Sequence, residues 1–92
     1  MELVINRCFG GFALSDEVCE YLGCGTYDYS RPHERNDWRL VEAVKKFGDR
    51  ANTFFSDLQV VELPDETTDY TIEEYDGAEK VIYVVNGKLH FA

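Results

Sequence analysis

Three cysteines and a histidine crowd the first third of the chain: Cys8, Cys19, Cys24 and His33, in the spacing C-x10-C-x4-C-x8-H. Thiolate and imidazole are the donors that zinc takes in tetrahedral structural sites. A C-x4-C step can wrap one ion, and His33 sits in a turn-rich stretch that such an ion would anchor. The expectation is therefore a structural zinc held by Cys8, Cys19, Cys24 and His33. The plainer alternative makes Cys8 and Cys19 small buried hydrophobes and His33 a solvent-facing loop residue. A catalytic zinc would also need an open position and a general base, for which Glu20 or Glu34 could serve. Cys8 and His33 could form a nucleophile–base pair, but no third group to orient the imidazole can be named. Gly10-Gly11 lacks the Lys and Ser/Thr of a phosphate loop. Glu73 and Glu74 adjoin in a strand-like stretch, point to opposite faces and make poor acid–base partners. No catalytic motif is complete, so the chain reads as a binding protein and not an enzyme. The rival is a small metal-dependent enzyme or nucleotide-binding protein built on the Cys/His cluster.

The elements that must position these residues can be outlined from patterning. Residues 2–8 carry β-branched Val4 and Ile5 and read as a first strand, ended by Gly10-Gly11. Ser15 can cap a short helix with Asp16 and Glu17 near its positive end; Val18, Tyr21 and Leu22 share its inner face, and Gly23 and Gly25 stop it. Residues 23–36 form a long turn-rich loop. Asn36 or Asp37 can cap a second helix, where Leu40, Val41, Val44 and Phe47 recur on one face until Gly48. Ala51, Phe54 and Phe55 could add a further helical turn. Trp38, just inside this helix, is a candidate interface anchor, with core packing the expectation for it.

Strands follow at Leu58–Leu63, Tyr70–Tyr75, Lys80–Val85 and Lys88–Phe91. Asp76-Gly77 and Asn86-Gly87 are hairpin turn signals between the last three. The expected fold is α+β: one domain, residues 1–92, with a mainly antiparallel sheet of about five strands packed on two helices.

The net charge is -9, and all of it belongs to one stretch. Residues 51–79 hold nine acids and no Lys or Arg, while six of the nine bases lie between Arg31 and Arg50. A protein that grips phosphates needs clustered bases, so direct nucleic-acid binding is not expected. A basic cleft, however, attracts an acidic domain as it attracts DNA. Alternate carboxylates on a strand lie about 7 Å apart, close to phosphate spacing. Asp65, Glu66, Asp69, Glu73, Glu74, Asp76 and Glu79 are the candidate partner-binding residues, against a plainer role in keeping strand edges soluble. Met1–Arg7 lacks a positive leader region, its apolar run is too short for a membrane span, and three cysteines is an odd number. The expectation is a reduced, cytoplasmic chain with no membrane partner.

The run Val4-Ile5-Asn6-Arg7-Cys8-Phe9-Gly10-Gly11-Phe12-Ala13-Leu14-Ser15 resembles the start of a family of small phage and prophage proteins without assigned biochemical activity. The resemblance resumes at Arg35-Asn36-Asp37 through Leu40-Val41-Glu42, at Ala51-Asn52, at Leu58–Asp65 and at Ile72–Gly77. Cys8 fits the family pattern; Cys19, Cys24 and His33 fall in a segment that departs from it. Proteins of this kind are often inhibitors of host defence. The resemblance therefore implies an anti-CRISPR-like inhibitor acting on a type II effector nuclease, whose nucleic-acid channel is basic.

Overall fold

The computed structural model describes residues 1–23 and 29–92. Five strands and two helices follow in the order β1 (Glu2–Asn6), α1 (Asp16–Leu22), α2 (Trp38–Phe47), β2 (Leu58–Glu62), β3 (Thr67–Tyr75), β4 (Ala78–Val85) and β5 (Lys88–Phe91). Short 3-10 turns lie at Pro32–Glu34 and Gly48–Ala51. The fold is α+β with all strands antiparallel, as expected.

Local chemistry sets the helix ends. The Ser15 hydroxyl accepts the Val18 N–H at the start of α1, and Gly23, left-handed at φ 62°, closes it. Asp37 caps α2 by accepting the Arg39 N–H at 2.9 Å. Leu40, Val41, Ala43 and Val44 form the buried face of α2, with Phe47 packed beside them. The extra helical turn expected through Phe54 and Phe55 stops at Ala51; both phenylalanines are exposed instead.

The five strands form two sheets and not one. β1 pairs with β2, while β3, β4 and β5 make a separate three-stranded sheet. The reason lies in β1, whose positions Leu3, Val4 and Ile5 are all fully buried. Val4 joins Val18, Leu40, Val44 and Leu58 in a core beneath the helices, with Val60 packed on it. Leu3 and Ile5 join Leu63 and Val81 in a second core, completed by Tyr70, Ile72 and Tyr83 of the other sheet. The β1–β2 ribbon is thus a middle layer covered on both faces, which explains an unbroken apolar run where one-sided burial would give alternation. Each such side chain contributes roughly 1.5–3 kcal/mol over an exposed one.

Both tight hairpin turns have positive φ at their central residues: Asp76 51° and Gly77 92°, Asn86 53° and Gly87 75°. That is the requirement of type I′ geometry, which matches strand twist. Among the described residues, no helix is long and apolar enough to cross a membrane.

Candidate functional site

The outer edge of β1 is closed by the backbone and guanidinium of Arg35 and the carboxylate of Glu79. Leu3 and Ile5 face β2 across the ladder, so Val4 and Asn6 turn their amide groups the other way. The Arg35 carbonyl accepts the Val4 N–H at 2.9 Å, and the Arg35 guanidinium donates back to the Val4 carbonyl at 3.2 Å. The Glu79 carboxylate accepts the Asn6 N–H at 2.7 Å. Arg35 and Glu79 meet through two N–H···O bonds of 2.6 Å each, with residue exposures of 3% and 8%. Arg35 Nε donates to the Ser30 carbonyl at 2.9 Å, and the guanidinium lies 3.9 Å from the centre of the Phe12 ring. A buried ion pair persists only when its remaining donors and acceptors are satisfied, and here they are.

Asn6 extends this joint. Its amide nitrogen donates to the Cys8 and Gly77 carbonyls, both at 2.7 Å, and its side-chain oxygen accepts the Asp57 N–H at 2.8 Å. Three loops are thereby drawn together. Gly10 donates its N–H to the Asp76 carbonyl at 2.8 Å. A Cβ on Gly10 would lie 2.7 Å from the Phe55 carbonyl oxygen, and one on Gly77 would lie 2.1 Å from the Gly11 nitrogen. Only backbone without side chains can approach so closely, so Gly10 and Gly77 are structural necessities. The segments Asn6–Gly11, Arg35 and Asp76–Gly77 meet at this joint.

The same loops push aromatic rings outward. Phe9, Phe55 and Tyr75 are largely exposed and Phe54 is 100% exposed. Bulky apolar groups clustered on turns mark an interaction surface more often than a folding requirement. In sequence, Phe54 and Phe55 read as a helical continuation; the signal against it is the break at Asn52-Thr53, too polar to continue a helical face.

The acidic candidates divide. Asp65, Glu66, Asp69, Glu73, Glu74 and Asp76 are exposed. Asp69 and Glu73 share the outer side of β3, Glu74 folds back to accept the Gly77 N–H at 2.6 Å, and Asp76 lies in the turn beside Gly10. Glu79 must be corrected: it is not on the acidic face but inside, paired with Arg35. Its alternation with buried Val81 along β4 places it on the inner side. Three bases of the helical half pair with acids, Lys45 with Glu2, Arg39 with Asp37, and Arg50 with Glu17, while Lys46 lies over the Tyr21 ring. The Arg39 side chain, hydrogen-bonded to Asp37, holds that carboxyl below the usual carboxylate range.

Cys24 lies outside the described residues. Cys8 points its thiol at the Phe9 carbonyl, 3.3 Å away, Cys19 packs against the helical core, and His33 is exposed with its imidazole 3.2 Å from Glu34. Among the described residues, no three His, Cys, Asp or Glu side chains are grouped to hold a metal ion. A tetrahedral zinc would bring its donors within about 4 Å of one another, so Cys8, Cys19 and His33 do not fit one such ion as arranged.

Trp38 is also corrected. It is 70% exposed, not packed in the core. It shares a helical stripe with Glu42 and Lys45, opposite Leu40 and Val44, and stands between two shallow clefts. One, of about 470 Å³, is lined by Met1, Asn36, Val41 and Lys45; the other, of about 350 Å³, by Tyr21, Leu22 and Arg39. No protein-family model, curated protein or solved structure matches the chain.

Proposed function

We propose that this chain is a non-enzymatic binding protein, a phage-derived inhibitor that occupies a basic, nucleic-acid-handling host protein. The partner class that fits best is a type II CRISPR effector nuclease, with the chain blocking the nuclease or its DNA loading. One observation carries this reading: three loops pinned to a buried joint present exposed aromatic rings beside the turn carboxylate Asp76, and exposed Asp69 and Glu73 line the outer side of the strand that leads into that turn. Aromatic anchors supply most of the binding energy at protein interfaces, and surrounding charge sets encounter rate and partner choice. The lysines and arginines paired to neighbouring acids on the helical side favour a protein partner over a phosphate backbone. The reading requires no metal.

The test is binding to a purified type II effector nuclease by surface-immobilised kinetics. Affinity should fall as salt rises, chiefly through a slower on-rate. Phe54→Ser, at a fully exposed position, should weaken binding by about tenfold or more. Asp69→Lys with Glu73→Lys should slow association further while leaving the melting curve close to wild type. An affinity unmoved by salt and by all three substitutions would overturn the proposal.

A further inference from the structure

We propose that β5 is a self-pairing edge, on which two copies of this chain meet antiparallel about a two-fold axis at His90. The backbone bonds of the last hairpin fix which groups face outward. Val81 and Ala92 exchange both N–H···O bonds, at 2.9 and 2.8 Å. Bonded pairs alternate along an antiparallel ladder, so Tyr83↔His90 and Val85↔Lys88 are bonded pairs, while Ile82↔Phe91 and Val84↔Leu89 are not. Leu89 and Phe91 therefore turn their N–H and C=O groups to the open side of the sheet.

That arrangement is complementary to itself. With the axis at His90, Leu89 of one copy lies opposite Phe91 of the other, and both pairs can exchange two hydrogen bonds. Their side chains, 66% and 65% exposed, stand on the same face as Ile82 and Val84. Pairing would run this apolar stripe unbroken from one copy into the next.

Self-complementary hydrogen bonding selects a second copy, and charge spares this edge: with the axis at His90, Lys88 would lie opposite Ala92 and meet no like charge. The chain carries -9, yet residues 80–92 contain no acid, only Lys80, Lys88 and His90. The opposite edge, β3, carries exposed Asp69 and Glu73, which would face like charges in any self-pairing there. Four residues of strand bury less than a standard interface, so the dimer is weak and opposed by net charge. Self-association must then strengthen as salt rises, the reverse of the salt dependence expected for a basic partner.

Sedimentation equilibrium on the full chain should show monomer passing to dimer with rising concentration, and more dimer at high salt. His90→Cys tests the axis, because opposed non-bonded residues in an antiparallel pair have Cα atoms about 4.5 Å apart, within disulfide range. On air oxidation, His90→Cys should give a covalent dimer well above wild type, whose own cysteines set the background. Thr71→Cys on β3 should not. Leu89→Lys should abolish the non-covalent dimer with the far-ultraviolet spectrum unchanged. A monomer at all concentrations and salts, with no excess cross-linking of His90→Cys, would overturn the proposal. So would a dimer indifferent to Leu89→Lys.

Discussion

Glu79 and Glu73 belong to the same acidic stretch and lie on the same hairpin, yet they live in opposite surroundings. Glu79 faces inward, almost out of water, gripped by Arg35 and the Asn6 N–H. Glu73 faces outward across the ladder from Lys80. Between them, Glu74 stands directly opposite Glu79, a like-charge pairing that would ordinarily destabilise a sheet. Here each carboxylate is turned away to its own donor, Glu74 to the Gly77 N–H and Glu79 to Arg35. The difference teaches that a run of acids in sequence is not one surface. Strand alternation sorts it into a structural member and a set available to solvent, and only the second can meet a partner.

The sharpest way to break this comparison is to remove the inner acid. Glu79→Ala leaves the Arg35 guanidinium buried without its counter-charge, and the Asn6 N–H without an acceptor. The expected loss is about 3–5 kcal/mol of unfolding free energy, read from urea melts. Replacing Arg35 and Glu79 together by Met should recover only part of that loss: the unpaired charge goes, but the Asn6 N–H and the Val4 carbonyl still lose their partners. A Glu79→Ala melt indistinguishable from wild type would mean that the carboxylate does not close the β1 edge.

Asp37 sits between the extremes: half-buried, capping α2, and bonded to Arg39. Asp37→Ala should cost about 1 kcal/mol, the usual worth of a helix cap. Its folded pKa is depressed, so the charged form favours the folded state. That contribution is fully present above the ordinary carboxylate range and is lost as pH falls through the lowered folded value. Melts at neutral pH should therefore separate Asp37→Ala from wild type by more than melts in acid. A difference that is constant across that range would assign the cost to lost packing and not to the carboxylate.

Much of the fold was legible because its causes are local. Ser15, Gly23, Asp37 and Gly48 mark helix ends by backbone chemistry, and Asn86-Gly87 specifies its hairpin by tolerating positive φ. The division into two sheets was less visible, since it depends on what covers each face of β1. Leu3-Val4-Ile5 carries that signal in its lack of alternation. The joint was the least legible part. Arg35 and Glu79 are 44 residues apart, and nothing adjacent to either announces the other. Period-two placement of Glu79 beside Val81 was the one available clue, as the stripe shared with Glu42 and Lys45 was for Trp38. The Cys/His cluster shows the converse: proximity in sequence suggested a site, but Cys8, Cys19 and His33 hang on a strand end, a helix and a separate turn.

The smallest expected effect belongs to the outer acid. Glu73→Gln removes a charge that is exposed to water and opposite Lys80, keeps nearly the same shape, and disturbs no buried group. Opposed charges that are both exposed interact weakly across a ladder, because water already solvates each of them. The expected change is roughly 0.5 kcal/mol or less, and it should shrink further in high salt as the Lys80 field is screened. Measured beside Glu79→Ala on the same hairpin, this gives the contrast its number: the same residue type, with a several-fold difference in stability set by the face it occupies. If Glu73→Gln proved as damaging as Glu79→Ala, the outer acids would be part of the framework. Their loss could then no longer be used to isolate a binding surface from the fold that carries it.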